Sequence, residues 1–154
     1  MLIGPDFKPP FVSGQNLGAT TWPGRDAWFI GGVNVRGWIS SDPEANLIYY
    51  GTADPGPRNP HQRPGDNTWT SSVFARDPDT GQARWAYQRN PHDLHDYDGV
   101  NENVLLDLTI SGQARKVFVH PDRNGFMYVM DRLSGEISRR SLSCPPTRSS
   151  ASTS

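Results

Sequence analysis

From residue 46 onward the chain alternates short apolar, β-branched and aromatic runs with clusters of Gly, Pro, Asn, Asp and Ser. Residues 46–52, 71–76, 83–88, 104–110, 116–120, 126–130 and 135–139 each have the length and composition of a strand. The separators are turn chemistry. Asp77-Pro78-Asp79-Thr80-Gly81 closes a hairpin, because Asp accepts from its own downstream amides and Gly tolerates positive φ. Asp122-Arg123-Asn124-Gly125 carries the Asn-Gly pair of tight hairpins. Residues 1–36 hold Gly, Pro and aromatics without periodicity and are expected to form a long loop. No stretch shows a convincing helical period. The expected fold class is all-β, an antiparallel meander.

Ala75-x-Asp77-x-x-Thr80-Gly81-x-x-x-Trp85 joins an Asp…Thr-Gly turn to a large flat ring, and Met130-Asp131-Arg132-Leu133-Ser134-Gly135-Glu136-Ile137 repeats the turn in weaker form. Repeated strand units with such a ring predict propeller blades; one hairpin with a buried Trp is the simpler alternative.

Composition narrows the function. The chain has 154 residues, room for one domain, and its Gly (15) and Pro (14) content favours short strands and turns over helices. With 15 basic and 16 acidic residues the net charge is −1, so no global field recruits nucleic acid. A single Cys, Cys144, excludes an intramolecular disulfide and a Cys-based zinc site. No apolar run approaches the roughly 18 residues of a membrane span. The start, MLIGPDFKPPF, lacks the basic and apolar regions of an export signal. Residues 138–154 are rich in Ser, Arg and Pro and are expected to be a disordered tail, with residues 1–137 forming the structured part.

The densest chemistry lies between Pro91 and Glu102, where His92, Asp93, His95, Asp96, Asp98 and Glu102 crowd together. If Asp96-Tyr97-Asp98 is extended, residues i and i+2 face one way and the two carboxylates meet. Like charges that close need a proton or a cation between them, and a hard cation with oxygen ligands is the usual solution. A solvated acidic loop is the alternative. An EF-hand is excluded, because Gly99-Val100 follows Asp98 where that motif needs another ligand. His92 and His95 read as supporting loop residues, and Asp93 as orienting the loop.

Five ordered motifs together resemble the quinoprotein alcohol dehydrogenases of the methanol/ethanol type. They are Asp42-Pro43-x-x-Asn46-Leu47-Ile48-Tyr49-Tyr50-Gly51-Thr52, Arg63-Pro64-Gly65-Asp66-Asn67-x-Trp69-Thr70, the Asp77…Trp85 unit, Pro91-His92-Asp93 through Glu102, and His120-Pro121-Asp122-Arg123-Asn124-Gly125. Thr21-Trp22-Pro23-Gly24 and Gly31-Gly32 also fit. The resemblance implies about two blades of an eight-bladed β-propeller, an internal fragment amounting to roughly a quarter of a family member. It implies pyrroloquinoline quinone (PQQ) as cofactor, a lanthanide(III) ion with Ca²⁺ as the alternative, a small primary alcohol as substrate, cytochrome c as electron acceptor, and a periplasmic setting. It leaves room for a homodimer in full-length members.

By the same resemblance, Asp96 matches the catalytic base and a metal ligand, Asp98 the extra carboxylate of lanthanide-type members, and Arg123 the arginine at the quinone oxygens. Asn34 and Arg36 fall in the stretch that contacts the cofactor. Two positions depart from the pattern. Asp54, in Thr52-Ala53-Asp54-Pro55, replaces the usual metal-binding Asn, and Arg36 replaces the Trp that stacks on the quinone. The segments with the family's metal-binding Glu and adjacent-cysteine disulfide are not in this chain, so it is expected to be inactive alone. A non-catalytic propeller fragment or a metal-binding or interaction module is the alternative function.

Overall fold

The computed structural model describes residues 18–24, 27–31 and 33–142. Their strands form two four-stranded antiparallel sheets, each a meander in chain order. Strands β1 (Ser40–Asp42), β2 (Leu47–Gly51), β3 (Ser72–Arg76) and β4 (Ala83–Gln88) make the first. Strands β5 (Val104–Ile110), β6 (Gln113–Pro121), β7 (Phe126–Asp131) and β8 (Ile137–Leu142) make the second. All seven expected strands are present.

Three features differ from the sequence reading. Strand β1 is composed of Ser40, Ser41 and Asp42, which carry no apolar signal; its place is set by backbone pairing with Tyr49, Ile48 and Leu47. Strand β8 continues to Leu142, into the segment expected to be a disordered tail, because the ladder to β7 uses backbone groups and tolerates Arg and Ser side chains. A five-residue helix, α1 (Ala27–Gly31), interrupts the expected loop. The rest of the tail and the first 17 residues lie outside the described residues.

The sheets face each other across one core. Leu47, Tyr49, Val73, Ala75 and Trp85 from the first meet Phe118, Tyr128 and Met130 from the second, all buried. Trp85 shows why the Asp…Gly turn and the ring belong together. Its indole Nε1 donates to the Arg132 carbonyl at 2.9 Å, and its ring meets Phe118 edge-on at 5.9 Å. It also lies over Gly135, where a Cβ would come within 2.7 Å of the ring. Tyr49 donates its hydroxyl to the same carbonyl at 2.9 Å. One carbonyl in the second sheet's turn thus satisfies two aromatic donors of the first.

The repeat extends to backbone detail. Asp77 Oδ1 accepts from the amides of Asp79 and Thr80, while Asp131 Oδ1 accepts from those of Leu133 and Ser134. Each sheet has a register shift just before that Asp, at Ala75/Arg76 and at Val129/Met130. The two sheets are copies of one blade.

The ends of β2, β4 and β6 and the starts of β3, β5 and β7 share one end of the pair. The segment between β4 and β5, which contains the acidic stretch, lies back across it. The approach is close. A Cβ on Gly51 would sit 1.6 Å from the Gly99 carbonyl oxygen, so the last position of β2 admits only Gly. Beneath this loop His120 is fully buried, with Nδ1 2.9 Å from Asn103 Oδ1 and Nε2 3.5 Å from Asp122 Oδ2.

Gly51→Ala forces β2 and the acidic loop apart and is expected to lower stability by about 2 kcal/mol or more, read from urea midpoints. Burial holds the His120 imidazole below its ordinary pKa, so the unfolded chain binds the proton more readily than the folded one. Stability should therefore fall as pH drops below about 6.5, and His120→Gln should flatten the slope of melting temperature with pH in that window. An unchanged slope in the variant would show that His120 is not its source.

Candidate metal and cofactor site

Asp93 organises the acidic loop. It is buried; its Oδ1 accepts from the His95 amide at 2.9 Å, and its Oδ2 accepts from the Tyr97 amide at 3.0 Å, the Asp98 amide at 3.2 Å and the Ser71 hydroxyl at 2.7 Å. One carboxylate thereby folds residues 93–98 around itself. Arg63, also buried, donates to the Asp93 carbonyl at 2.5 Å, to Asn67 Oδ1 at 2.9 Å and to the Pro57 carbonyl at 2.7 Å. It ties this loop to the β2–β3 connection.

The wrapping makes the loop locally left-handed. His92, Asp96 and Asp98 have φ of 50°, 60° and 57°, a region Asp tolerates better than most residues. The extended geometry expected for Asp96-Tyr97-Asp98 is therefore absent. The two carboxylates still converge, by curvature of the loop. His92 serves the loop itself. Its Nδ1 lies 2.7 Å from the Gly65 carbonyl oxygen, and its amide donates to the Asp66 carbonyl at 3.0 Å. The two contacts pin His92 against the β2–β3 connection.

Asp54 arrives from that connection. Its position is set by Thr52, whose hydroxyl donates to the Trp69 carbonyl at 2.8 Å, and by the Ala53 amide, which donates to the Asn34 carbonyl at 3.0 Å. Asp54 N–H then donates to Asp98 Oδ1 at 2.8 Å. The result joins two separate loops: Asp54, Asp96 and Asp98 each offer a carboxylate oxygen, and all three oxygens lie within 4.8 Å of one another.

Three guanidiniums surround the three carboxylates. Arg58 Nη2 donates to Asp96 Oδ2 at 2.8 Å. Arg123 donates from Nη1 to the Asp96 carbonyl at 2.8 Å and places Nη2 3.4 Å from Asp98 Oδ2. Arg36 Nη2 lies 3.2 Å from Asp98 Oδ1 and 3.8 Å from Asp54 Oδ1. The hydrogen bond from Arg58 holds the Asp96 carboxyl below the usual carboxylate range. Asp54 goes the other way: burial and then the neighbouring charges of Asp96 and Asp98 push its carboxyl up.

Every expected site residue except one brings a side chain into this cluster; Asn34 is fixed beside it through its backbone carbonyl. Arg58, Arg63 and Arg89 have no role assigned from sequence. Arg63 stands inside a quoted motif, whereas an exposed Arg58 after a Gly-Pro pair carries no distinguishing signal. The donor set is all oxygen and strongly negative, which suits a hard cation of high charge, and a guanidinium already rests against two of the three carboxylates as a stand-in cation.

Comparison with known proteins places the chain in a family. The family model described as "PQQ: Glucose/ethanol/alcohol dehydrogenase, beta-propeller domain" matches residues 7–137. A lanthanide-dependent methanol dehydrogenase of Methylacidiphilum fumariolicum is 51% identical over 140 residues, covering 89% of this chain and 23% of that protein. Subunit 1 of a methanol dehydrogenase [cytochrome c] of Methylorubrum extorquens is 49% identical over 140 residues, covering 89% of this chain and 22% of that protein. A solved europium-containing methanol dehydrogenase superposes with a TM-score of 0.78 at 52% identity, over 81% of this chain and 22% of that one. The chain spans between a fifth and a quarter of the length of these relatives. With the family model matched along most of its length, the chain belongs to the PQQ-dependent alcohol dehydrogenase β-propeller family.

Proposed function

We propose that this chain carries the metal- and base-bearing part of a PQQ-dependent dehydrogenase that oxidises small primary alcohols, with a lanthanide(III) ion as the metal and Ca²⁺ as the weaker alternative. One observation carries the reading: carboxylates from two loops, Asp54 on one and Asp96 and Asp98 on the other, converge on a common point. Relatives named for lanthanide, europium and cytochrome c support the choice of ion and of electron acceptor. By the same kinship the complete enzyme works in the periplasm.

The residues divide the work. Asp54, Asp96 and Asp98 would hold the ion through oxygen. PQQ would supply a two-electron hydride acceptor for the alcohol carbon, and the ion would supply a Lewis acid beside it. Asp96 takes the hydroxyl proton, which completes the balance of an alcohol oxidised to its aldehyde. Arg58 keeps Asp96 ionised and therefore able to accept, yet a carboxylate held this acidic is a weak base. Proton removal by Asp96 must accordingly accompany hydride departure, since the hydroxyl becomes acidic only as the carbonyl forms. Arg123, half-exposed and braced by the Asp96 carbonyl, would offer a fixed positive charge to the quinone oxygens.

Asp93 sits behind both aspartates and acts by positioning. Its amide contacts set the curvature on which their convergence depends.

A narrower reading, in which the isolated chain binds the ion and does no chemistry, is favoured by its covering only about a fifth of the relatives' length. Both parts are testable. Titrating the chain with Tb³⁺ and following sensitised luminescence should show saturable binding, weakened by roughly a hundredfold or more in Asp98→Ala, because loss of even an outer partner costs about ten- to a hundredfold. No difference between the two proteins would remove Asp98 from the site. With PQQ, La³⁺ and methanol or ethanol present, the chain alone should reduce no dye. Sustained turnover that disappears in Asp96→Asn would instead show that these residues suffice.

A further inference from the structure

Asp98 is the most enclosed of the three carboxylates, with its side chain 4% exposed. Its oxygens are already engaged. Oδ1 accepts from the Asp54 amide at 2.8 Å and from Arg36 Nη2 at 3.2 Å, and Oδ2 lies 3.4 Å from the Nη2 atoms of both Arg36 and Arg123. The Arg36 nitrogen also reaches Asp54. A single nitrogen therefore lies against two of the three carboxylates, close to where a cation shared by all three would stand. Arg58 and Arg123 differ from it. Arg58 meets Asp96 alone, and Arg123 divides its nitrogens between Asp98 and a backbone carbonyl.

The backbone holds Arg36 in this place. Val35 forms an isolated antiparallel bridge with Thr52, two residues before Asp54. On the other side, a Cβ on Gly37 would lie 2.3 Å from the Val100 carbonyl oxygen, so the segment is pressed against the acidic loop. The side chain is nevertheless 55% exposed, which leaves it a way out to solvent. Arg36 and Asp54 are also the two positions that depart from the family pattern, one adding a positive charge and the other a negative, and they face each other at 3.8 Å.

We propose that Arg36 is a resident counter-ion of the cation site: it holds Asp54 and Asp98 together while no ion is bound, and it must leave both carboxylates before an ion can take them. The proposal rests on the reading of Asp54, Asp96 and Asp98 as a cation site. Three guanidiniums balance three carboxylates, so the chain's own charges suffice to assemble the site. The incoming ion meets Arg58 at Asp96 and Arg123 at Asp98, one carboxylate each, whereas Arg36 lies against two of the three and is its main competitor.

The experiment compares the wild-type chain with Arg36→Gln and Arg36→Lys, using Tb³⁺ titration and thermal melts with and without the ion. Arg36→Gln is expected to bind Tb³⁺ about tenfold or more tightly, since like charges this close repel even in bulk water. The same variant should melt at lower temperature without the ion and gain more from it than the wild type does. Arg36→Lys, which keeps the charge, should stay close to wild type in both. If Arg36→Gln unfolds without the ion, Tb³⁺ must fold it, and failure to do so overturns the proposal. Equal or weaker Tb³⁺ binding by Arg36→Gln, with the wild type binding well, overturns the role of Arg36 and leaves the cation site standing. Absence of binding by all three proteins overturns the site and this proposal together.

Discussion

The buried pair of Arg89 and Asp122 holds the site end of the molecule together. Both side chains are almost wholly out of water, with Arg89 Nε 2.9 Å from Asp122 Oδ2. Burial draws the guanidinium down to about 10, still well above neutrality, so it stays charged. Burial alone would raise Asp122, but the hydrogen bond with His120 and the charge of Arg89 hold it below the usual carboxylate range. A charge removed from water is tolerable only when paired and hydrogen-bonded, so neither partner can be lost without stranding the other. Arg89 follows β4 in the first sheet, and Asp122 follows β6 in the second. The pair is thus an ionic clamp between the sheets, where Trp85 and its neighbours provide the apolar one.

The clamp also seats the acidic loop. Arg89 Nη2 donates to the Gly99 carbonyl at 2.5 Å, immediately after Asp98, and Asp122 immediately precedes Arg123. A Cβ on Gly99 would lie 2.7 Å from that same nitrogen, so the loop is seated directly on the guanidinium. One buried charge therefore sets the distance between the acidic loop and the arginine opposite it. Asn124 extends the contact by donating to Asn90 Oδ1 at 2.7 Å and to the Tyr128 hydroxyl at 2.9 Å. The layer of Asp96, Asp98 and Arg123 thus rests on the buried pair of Arg89 and Asp122 and on Asn124.

Legibility in the sequence follows from how local each cause is. Strands β2 to β7 can be read because their apolar runs end in turns that close through neighbouring residues, such as Asp77 with Thr80 and Gly81. Strand β1 cannot, since Ser40 and Ser41 become a strand only through Tyr49 and Ile48. The clustering of Asp96 and Asp98 is visible from spacing, but the left-handed turns that produce it come from Asp93 collecting amides, a cause outside any two-residue period. Asp54 joins the cluster on the strength of the family resemblance alone. Nothing in its own neighbourhood announces that it will meet residues more than forty positions away.

Arg36 shows the limit of reading a position by its family role. Replacement of a stacking ring by a guanidinium suggests a changed cofactor floor, a statement about shape. The structure makes charge the larger consequence, because the nitrogen reaches Asp98 at 3.2 Å and Asp54 at 3.8 Å. Asp54 alone would add a third carboxylate to a crowded site, and burial first, then the charges of Asp96 and Asp98, raise its pKa. Arg36 without Asp54 would keep Asp98 at 3.2 Å and lose the second of its two carboxylate partners. Together the two substitutions cancel in charge, and their side chains lie 3.8 Å apart. If the three carboxylates take an ion as proposed, the site keeps its oxygen donors and gains a competitor for them, and its affinity depends on the arginine as well as on the aspartates.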